Sequence, residues 1–306
     1  MGFGFDATLD EITLVLFTTL APSGTIAFMT MTGILLGARF DEGMRARMNL
    51  FLCIPLVTSM VGLVASATHL GNPANALYVF MNVGSSPLSD EVFCAVLFLI
   101  CAGVYWLSSF SMRPLRVLKR VLLVVLELCG ATFVAAVSFA YETDTVITWC
   151  TPYVPAALWL NALVGGSLLA VLSLYAARYP AVGAGLGRAM LVVSAVALAA
   201  NTVVYVLQGL AYIHAENAVT SATELVPFYW PMLAAFVVLC AAGIAMMVCV
   251  LQEISESSGQ NKAPTAARVS KDVLGRAIVA TMLTFLGIFV MRFAFYMSHL
   301  TVGVGV

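Results

Sequence analysis

Six side chains that could carry charge or move protons, His69, Asp90, Glu91, His214, Arg292 and His299, stand at or just beyond the ends of long apolar runs. Carboxylates and imidazoles accept and relay protons, and a guanidinium donates hydrogen bonds or balances an anion. Together they offer proton acceptors and hydrogen-bond donors, but no redox centre. The seven cysteines, Cys53, Cys94, Cys101, Cys129, Cys150, Cys240 and Cys249, lie mostly inside apolar runs and never as C-x-x-C, which argues against iron–sulfur or zinc sites in this chain. They read as small buried hydrophobes. A membrane-embedded b-type haem needs facing histidines within a bundle, and none of the three histidines falls at mid-depth, so no haem is expected.

Each candidate also has a plainer reading. Ser89 is a good N-cap residue, and Asp90 and Glu91 in a first helical turn complement the helix dipole, so Glu91 is read both as a capping acid and as a chemical one. Arg292 is flanked by Phe293, Phe295 and Tyr296 and could snorkel to an interface or pair with Glu91 or another acid. Glu127, the one acid inside the middle of an apolar run, is expected to be protonated and hydrogen-bonded to a neighbouring helix rather than to mark an ion path.

These residues must be positioned by a membrane-embedded scaffold. The chain has 306 residues, 62% of them hydrophobic and 9% charged, with a mean hydropathy of +1.02, a balance foreign to water-soluble domains. Runs of roughly 20 apolar residues, the length that crosses a ~30 Å hydrocarbon core as helix, occur at about 11–37, 48–68, 91–111, 117–140, 153–176, 189–211, 228–251 and 274–297. Lipid leaves no partner for open backbone groups, so each run is expected to be helical. The expected fold is an all-α integral membrane protein with eight transmembrane helices in a single transmembrane domain, 1–306. A faint likeness of Ser23-Gly24 to Gly165-Gly166-Ser167, and of His69 to His214, suggests two four-helix halves.

Thirteen of the fourteen Lys and Arg residues fall in alternate gaps: Arg39, Arg45 and Arg47; Arg113, Arg116, Lys119 and Arg120; Arg178 and Arg188; Lys262, Arg268, Lys271 and Arg276. The positive-inside rule makes these gaps cytoplasmic and both termini extracytoplasmic. Arg292 is the exception. The acids before the first run, without a basic n-region, point to a retained helix rather than a cleaved signal peptide. Two outer segments are richer than plain turns. In 69–89, Gly71 and Pro73 end a helix and a short surface helix is expected before Gly84 to Pro87; in 141–152, Trp149 precedes Tyr153 at interfacial depth. The polar inner segment 252–272 reads as a connector.

Four blocks, in order along the chain, resemble the membrane anchor subunit of bacterial DMSO reductases, a relative of the wider polysulfide-reductase-type anchors. The first is His69-Leu70-Gly71-Asn72-Pro73 with Ala76, Val83-Gly84, Ser86 and Leu88-Ser89-Asp90-Glu91. The second is Asp144-Thr145-Val146, Thr148-Trp149 and Thr151-Pro152. The third is Gln208-Gly209 followed by His214. The fourth is Arg292, Phe295-Tyr296 and His299-Leu300-Thr301-Val302-Gly303. The resemblance implies a subunit of a bacterial cytoplasmic-membrane oxidoreductase that oxidises menaquinol. It also implies two partners, a ferredoxin-like iron–sulfur subunit and a molybdopterin catalytic subunit, which hold the metal cofactors, and no nucleic acid. In that family the His of the first block and the Glu that ends it are associated with quinol; here these are His69 and Glu91. Arg292, His299, Gln208, His214 and Asp90 are expected to support or bind. Asn82, Pro22-Ser23 and the long segment after the seventh run depart from the pattern.

Quinol oxidation needs a proton acceptor, donors for the developing carbonyls and a nearby electron sink. Since the candidates gather on the outer side, the iron–sulfur partner is expected to dock there and protons to be released there. Two rivals differ in class. A secondary transporter would place charge near mid-membrane on interrupted helices; a purely structural anchor would leave quinol chemistry to another protein.

Overall fold

The computed structural model describes residues 3–68, 73–111, 115–183, 185–259 and 270–303; His69, Arg113, Lys262 and Arg268 lie outside the described residues. Eleven α-helices account for the described fold: α1 Phe3–Asp10, α2 Ile12–Gly37, α3 Glu42–Phe51, α4 Cys53–Thr68, α5 Pro87–Ser109, α6 Arg116–Ala140, α7 Tyr153–Ala176, α8 Gly185–Tyr212, α9 Ala222–Leu225, α10 Tyr229–Gly259 and α11 Lys271–Met297. Among the described residues there is no strand, only isolated bridges at Val146–Thr301 and Glu216–Ser221. Eight spans are long and apolar enough to cross a membrane, with α3 and α4 forming one of them. Their order matches the eight apolar runs.

Differences from the expected ends have local causes. The second span starts at Glu42 rather than near 48, because Asp41 in extended backbone precedes it and the apolar Met44 and Met48 keep helical spacing. It is interrupted at Leu52, where the missing N–H of Pro55 denies the Phe51 carbonyl its helical donor. The acidic start of the chain is itself a helix, α1, tucked so tightly that a Cβ on Gly4 would meet the Leu225 carbonyl oxygen at 2.7 Å and that of Met297 at 2.9 Å. The expected surface helix before α5 is a 3-10 helix, Pro73–Asn82.

Buried helices α2 and α7 form the centre. α2 packs on α4, α6, α7 and α11, and α7 packs on α8 and α11, while α5 pairs with α6 and α10 with α11. Lipid is as apolar as leucine, so helices here associate through close packing of small residues and through polar contacts. At the α2–α4 crossing, a Cβ on Gly24 would stand 2.7 Å from the Ser59 nitrogen, and one on Gly62 would stand 2.8 Å from the Ala21 nitrogen. Ser59 Oγ donates to the Ala21 carbonyl across the same seam at 3.3 Å. Gly62→Leu should therefore push the two backbones apart and destabilise the fold by about 1–3 kcal/mol. Thermal unfolding in detergent, followed by loss of the monodisperse species, measures it, and an unchanged midpoint would count against this packing.

The α2–α7 seam is of the same kind: a Cβ on Gly166 would meet Ile26 Cβ at 2.7 Å and the Ser23 carbonyl oxygen at 2.8 Å. Aromatic stacking ties the first helices, with Phe98 on Phe133 at 5.8 Å and edge-on to Phe28 at 5.7 Å. Tyr105 Oη donates to Asn49 Oδ1 at 2.9 Å, fixing α5 to α3. Glu127 accepts from Thr32 Oγ1 at 2.7 Å, the interhelical hydrogen bond expected for it.

Candidate functional site

The first turn of α5 sets the direction of its two acids. Gly84 has φ +83°, a left-handed conformation that favours glycine, and Pro87 occupies the opening of the helix. Ser86, not Ser89, takes the N-cap position, one turn earlier than the sequence suggested; Ser89 is buried inside the helix. Asp90 turns back, its Oδ1 accepting from the Gly84 N–H at 2.6 Å, which closes the turn. One residue on, 100° round the helix, Glu91 points into the bundle and is 3% exposed. It is neither a surface acid nor a cap.

Arg292, late in α11, is 1% exposed and therefore does not snorkel. Its Nε donates to Thr18 Oγ1 on α2 at 2.9 Å, and Thr18 Oγ1 donates to the Leu14 carbonyl at 2.9 Å. The guanidinium lies over Phe295 at 4.2 Å, Tyr296 at 5.5 Å and Tyr141 at 5.6 Å, an aromatic cage that offers a cation its negative faces. Pro22 removes the amide that would otherwise bond the Thr18 carbonyl, so α2 carries an open acceptor at the level of its contact with Arg292.

Glu91 and Arg292 lie within electrostatic reach of each other, and the charges of both reach Tyr141. Each terminates in a polar atom with no hydrogen-bond partner among the described residues, Glu91 Oε2 and Arg292 Nη2. Burying one charge costs several kcal/mol, which an opposite charge offsets, whereas an orphaned polar atom retains its desolvation cost. An unmet acceptor and an unmet donor in one buried cluster form a place where a small molecule bearing both hydroxyl and carbonyl character would be held.

Around this pair the end of the bundle is closed by segments distant in sequence. Ile147 N donates to the Leu300 carbonyl at 2.8 Å and Val302 N to that of Thr145 at 3.0 Å, joining the segment after α6 to the tail after α11. Asn217 Nδ2 holds the Thr301 carbonyl at 3.0 Å, and Thr148 Oγ1 donates to the Ser298 carbonyl. Trp149 stacks on Phe295 at 4.6 Å and its Nε1 donates to the Phe295 carbonyl at 3.2 Å. Gln208 Nε2 donates to Tyr212 Oη at 2.8 Å, which in turn lies 2.8 Å from Ser298 Oγ.

The expected site residues are thus partly gathered. Glu91 and Arg292 are buried at the same end of the bundle within electrostatic reach, without a direct salt bridge, and Gln208 is buried in the adjoining network. Asp90 is occupied by its turn. His299 packs against Trp149 with ring centroids 4.9 Å apart, and partial burial holds its imidazole below the usual histidine range, with Glu11 pulling the other way. His214 is not brought in: it sits exposed in the turn after α8, because Tyr212 is the last residue of that helix to face inward. His69 lies outside the described residues, immediately after Thr68 at the end of α4 in the sequence.

Thr18, Tyr141, Asn161, Asn201, Tyr205 and Tyr212 are additions that sequence reasoning missed. Two of them carried a signal, since amides at Asn161 and Asn201 inside apolar runs demand polar partners. Thr18 carried none, being one of several hydroxyls along α2. Among the described residues, no three of His, Cys, Asp and Glu gather as a metal cluster would require. Two surface grooves lie elsewhere, one along α6 at Val117, Arg120 and Val121, the other at the opposite end of the bundle beside Phe40 and Tyr179.

Similarity to known proteins extends over nearly the full length. An anaerobic dimethyl sulfoxide reductase chain of Escherichia coli (strain K12), YnfH, is 29% identical over 296 residues, covering 97% of each of the two proteins. A second anaerobic dimethyl sulfoxide reductase chain of the same organism is 29% identical over 247 residues, 80% of each protein. Its counterpart in the anaerobic dimethyl sulfoxide reductase of Haemophilus influenzae is 28% identical over 222 residues, 72% of this chain and 78% of the relative. The family model described as DMSO reductase anchor subunit (DmsC) matches residues 5–296, and this multi-pass membrane chain belongs to that family.

Proposed function

We propose that this chain, as the membrane anchor of a DMSO-reductase-type complex, oxidises menaquinol in the buried cluster around Glu91 and Arg292. The carrying observation is that one end of the bundle buries a carboxylate and a guanidinium together and leaves a polar atom of each unmatched among the described residues. Oxidation of one quinol yields one quinone, two protons and two electrons. Glu91 takes a proton from one hydroxyl, directly or through water, while His69 binds and relays at the other oxygen. Arg292 balances the negative charge that builds on oxygen as a proton leaves.

The two electrons pass to the clusters of a ferredoxin-like iron–sulfur subunit docked on this end, and from there to a molybdopterin catalytic subunit. Glu91, Arg292 and His299 belong to the end opposite Arg39, Arg45, Arg47, Arg116, Lys119, Arg120, Arg178, Arg188, Lys271 and Arg276. That distribution supports an extracytoplasmic site, with both termini on the same side and quinol protons released there without net charge transfer across the membrane. A secondary transporter fits less well, because the buried charges cluster at one end rather than midway on interrupted helices.

Sidedness and occupancy test the proposal together. In a background with the exposed Cys150 and Cys249 replaced by serine, an impermeant thiol reagent should label Ser85→Cys in intact cells, and Ser270→Cys only after permeabilisation; both positions are exposed, at opposite ends of the bundle. A fluorescent quinol-site inhibitor should be quenched by the solubilised complex at one equivalent per anchor subunit. Labelling in the reverse order, or absence of saturable quenching, overturns the proposal.

A further inference from the structure

We infer that Tyr205 donates a hydrogen bond to the quinone oxygen turned towards Arg292, with Asn161 and Asn201 holding the phenol in place. The inference deepens the quinol site proposed above and rests on it. Its basis is an account of donors and acceptors in a fully buried group on α7 and α8. Asn201 Nδ2 donates to Asn161 Oδ1 at 2.7 Å, and Asn161 Nδ2 donates to Tyr205 Oη at 2.7 Å. Asn201 is fully buried, Asn161 is 1% exposed and Tyr205 is 2% exposed.

A phenol carries one proton and accepts through its lone pairs. Here the amide of Asn161 fills an acceptor position, and among the described residues no acceptor receives the Tyr205 proton. The direction of donation therefore runs from amide to amide to phenol and ends on an unspent O–H. Donation onto the phenol oxygen polarises that O–H and makes it a stronger donor.

The phenol is also immobilised. Phe236 meets its ring edge-on at 5.4 Å, and Tyr229 Oη donates to the Tyr205 carbonyl at 2.7 Å, locking α8 to α10 at this residue. Tyr229, whose Oη holds the Tyr205 carbonyl, meets the Tyr212 ring at 5.2 Å, and Tyr212 Oη lies 2.8 Å from Ser298 Oγ just beyond α11, so these phenols pack beside the end of the helix that carries Arg292, whose charge reaches both Tyr205 and Tyr212. Among the described residues that cluster then presents two unmet donors, Arg292 Nη2 and Tyr205 Oη, and two unmet acceptors, Glu91 Oε2 and Asn201 Oδ1, the latter making no hydrogen bond to the phenol. Two donors converging on one oxygen stabilise charge where a quinol hydroxyl is losing its proton, and a preorganised donor does so without reorganisation. The polar groups do not form a proton wire at this point, since amides at Asn161 and Asn201 donate but do not pass protons on.

Tyr205→Phe in the assembled complex tests this, because it keeps the ring and removes only the hydroxyl. Expected is a loss of about 10- to 100-fold in kcat/KM for a water-soluble menaquinol analogue, with unchanged reduction of the terminal acceptor when a dye donor feeds the partner subunits directly. The infrared carbonyl stretch of the bound quinone should move to higher frequency as a donor is lost. Asn161→Leu should lose activity similarly, and the double variant should be no worse than Tyr205→Phe alone.

Wild-type kinetics and an unshifted carbonyl band in Tyr205→Phe would overturn the assignment and show the triad to be a structural clamp, its phenol proton spent on Asn201 Oδ1. If Tyr205→Phe does not assemble, the kinetics and the carbonyl band of Asn161→Leu decide in the same way. Glu91→Gln separates the two levels of proposal. An inactive Glu91→Gln beside a wild-type Tyr205→Phe removes only the role of Tyr205, whereas wild-type rates in both remove the quinol site itself.

Discussion

Glu91→Gln is expected to lower quinol oxidation by about 100-fold or more while the complex still assembles. Glutamine keeps the size of the side chain and one carbonyl oxygen, so packing in the first turns of α5 is conserved, but it cannot accept a proton under working conditions. At 3% exposure no bulk water stands in for the lost base. Asp90, the neighbouring acid, cannot substitute, because its carboxylate is committed to the Gly84 turn and faces the other way. Steady-state oxidation of a menaquinol analogue by the purified complex, with dye-driven reduction of the terminal acceptor as control, measures the effect. A wild-type rate would remove Glu91 from the mechanism.

Arg292→Leu is expected to destabilise the protein by about 3 kcal/mol, towards the lower end of the range found when a buried charge loses its counter-charge, because Glu91 is within electrostatic reach of Arg292 without a direct salt bridge. Three losses combine. The guanidinium no longer balances Glu91, Thr18 loses the donor at 2.9 Å, and the cage of Phe295, Tyr296 and Tyr141 loses the cation it surrounds. Arg292→Lys should fall between, since an ammonium keeps the charge and lacks the fork that bonds Thr18 while facing the cluster. Adding Glu91→Gln to Arg292→Leu should recover much of the stability, because the orphaned carboxylate is then gone, although quinol oxidation stays lost. Thermal unfolding in detergent of the wild type, the two single variants and the double variant forms a double-mutant cycle. Additive effects would show that Glu91 and Arg292 do not act on one another.

The same two residues show how far sequence carries. Their positions near the ends of apolar runs, and the exceptional place of Arg292 among the basic residues, were legible at once. That Arg292 turns inward was not, because a long side chain near a helix end satisfies its charge equally well at the interface, and only the partner helices decide. Thr18 lies 274 residues from Arg292, and no local pattern links them. For Asn161 and Asn201 the need for polar partners was legible, but not that they would serve each other and Tyr205 across α7 and α8.

What the sequence by itself determined was everything that lipid imposes on single segments: helical spans, their number and order, the side on which positive charge collects, and the four blocks that carry the family resemblance. These follow from the cost of unpaired backbone and of charge in hydrocarbon, which each segment meets alone. Tertiary structure alone decided which face of each helix looks inward, and so which acid, cation and phenol meet. In lipid an apolar residue is as well placed outside the bundle as inside it, so the apolar pattern does not orient a helix about its axis. The rotation is set instead by close contacts such as Gly62 on Ala21 and Gly166 on Ile26, and by hydrogen bonds such as Arg292 to Thr18, which exist only once the helices have packed.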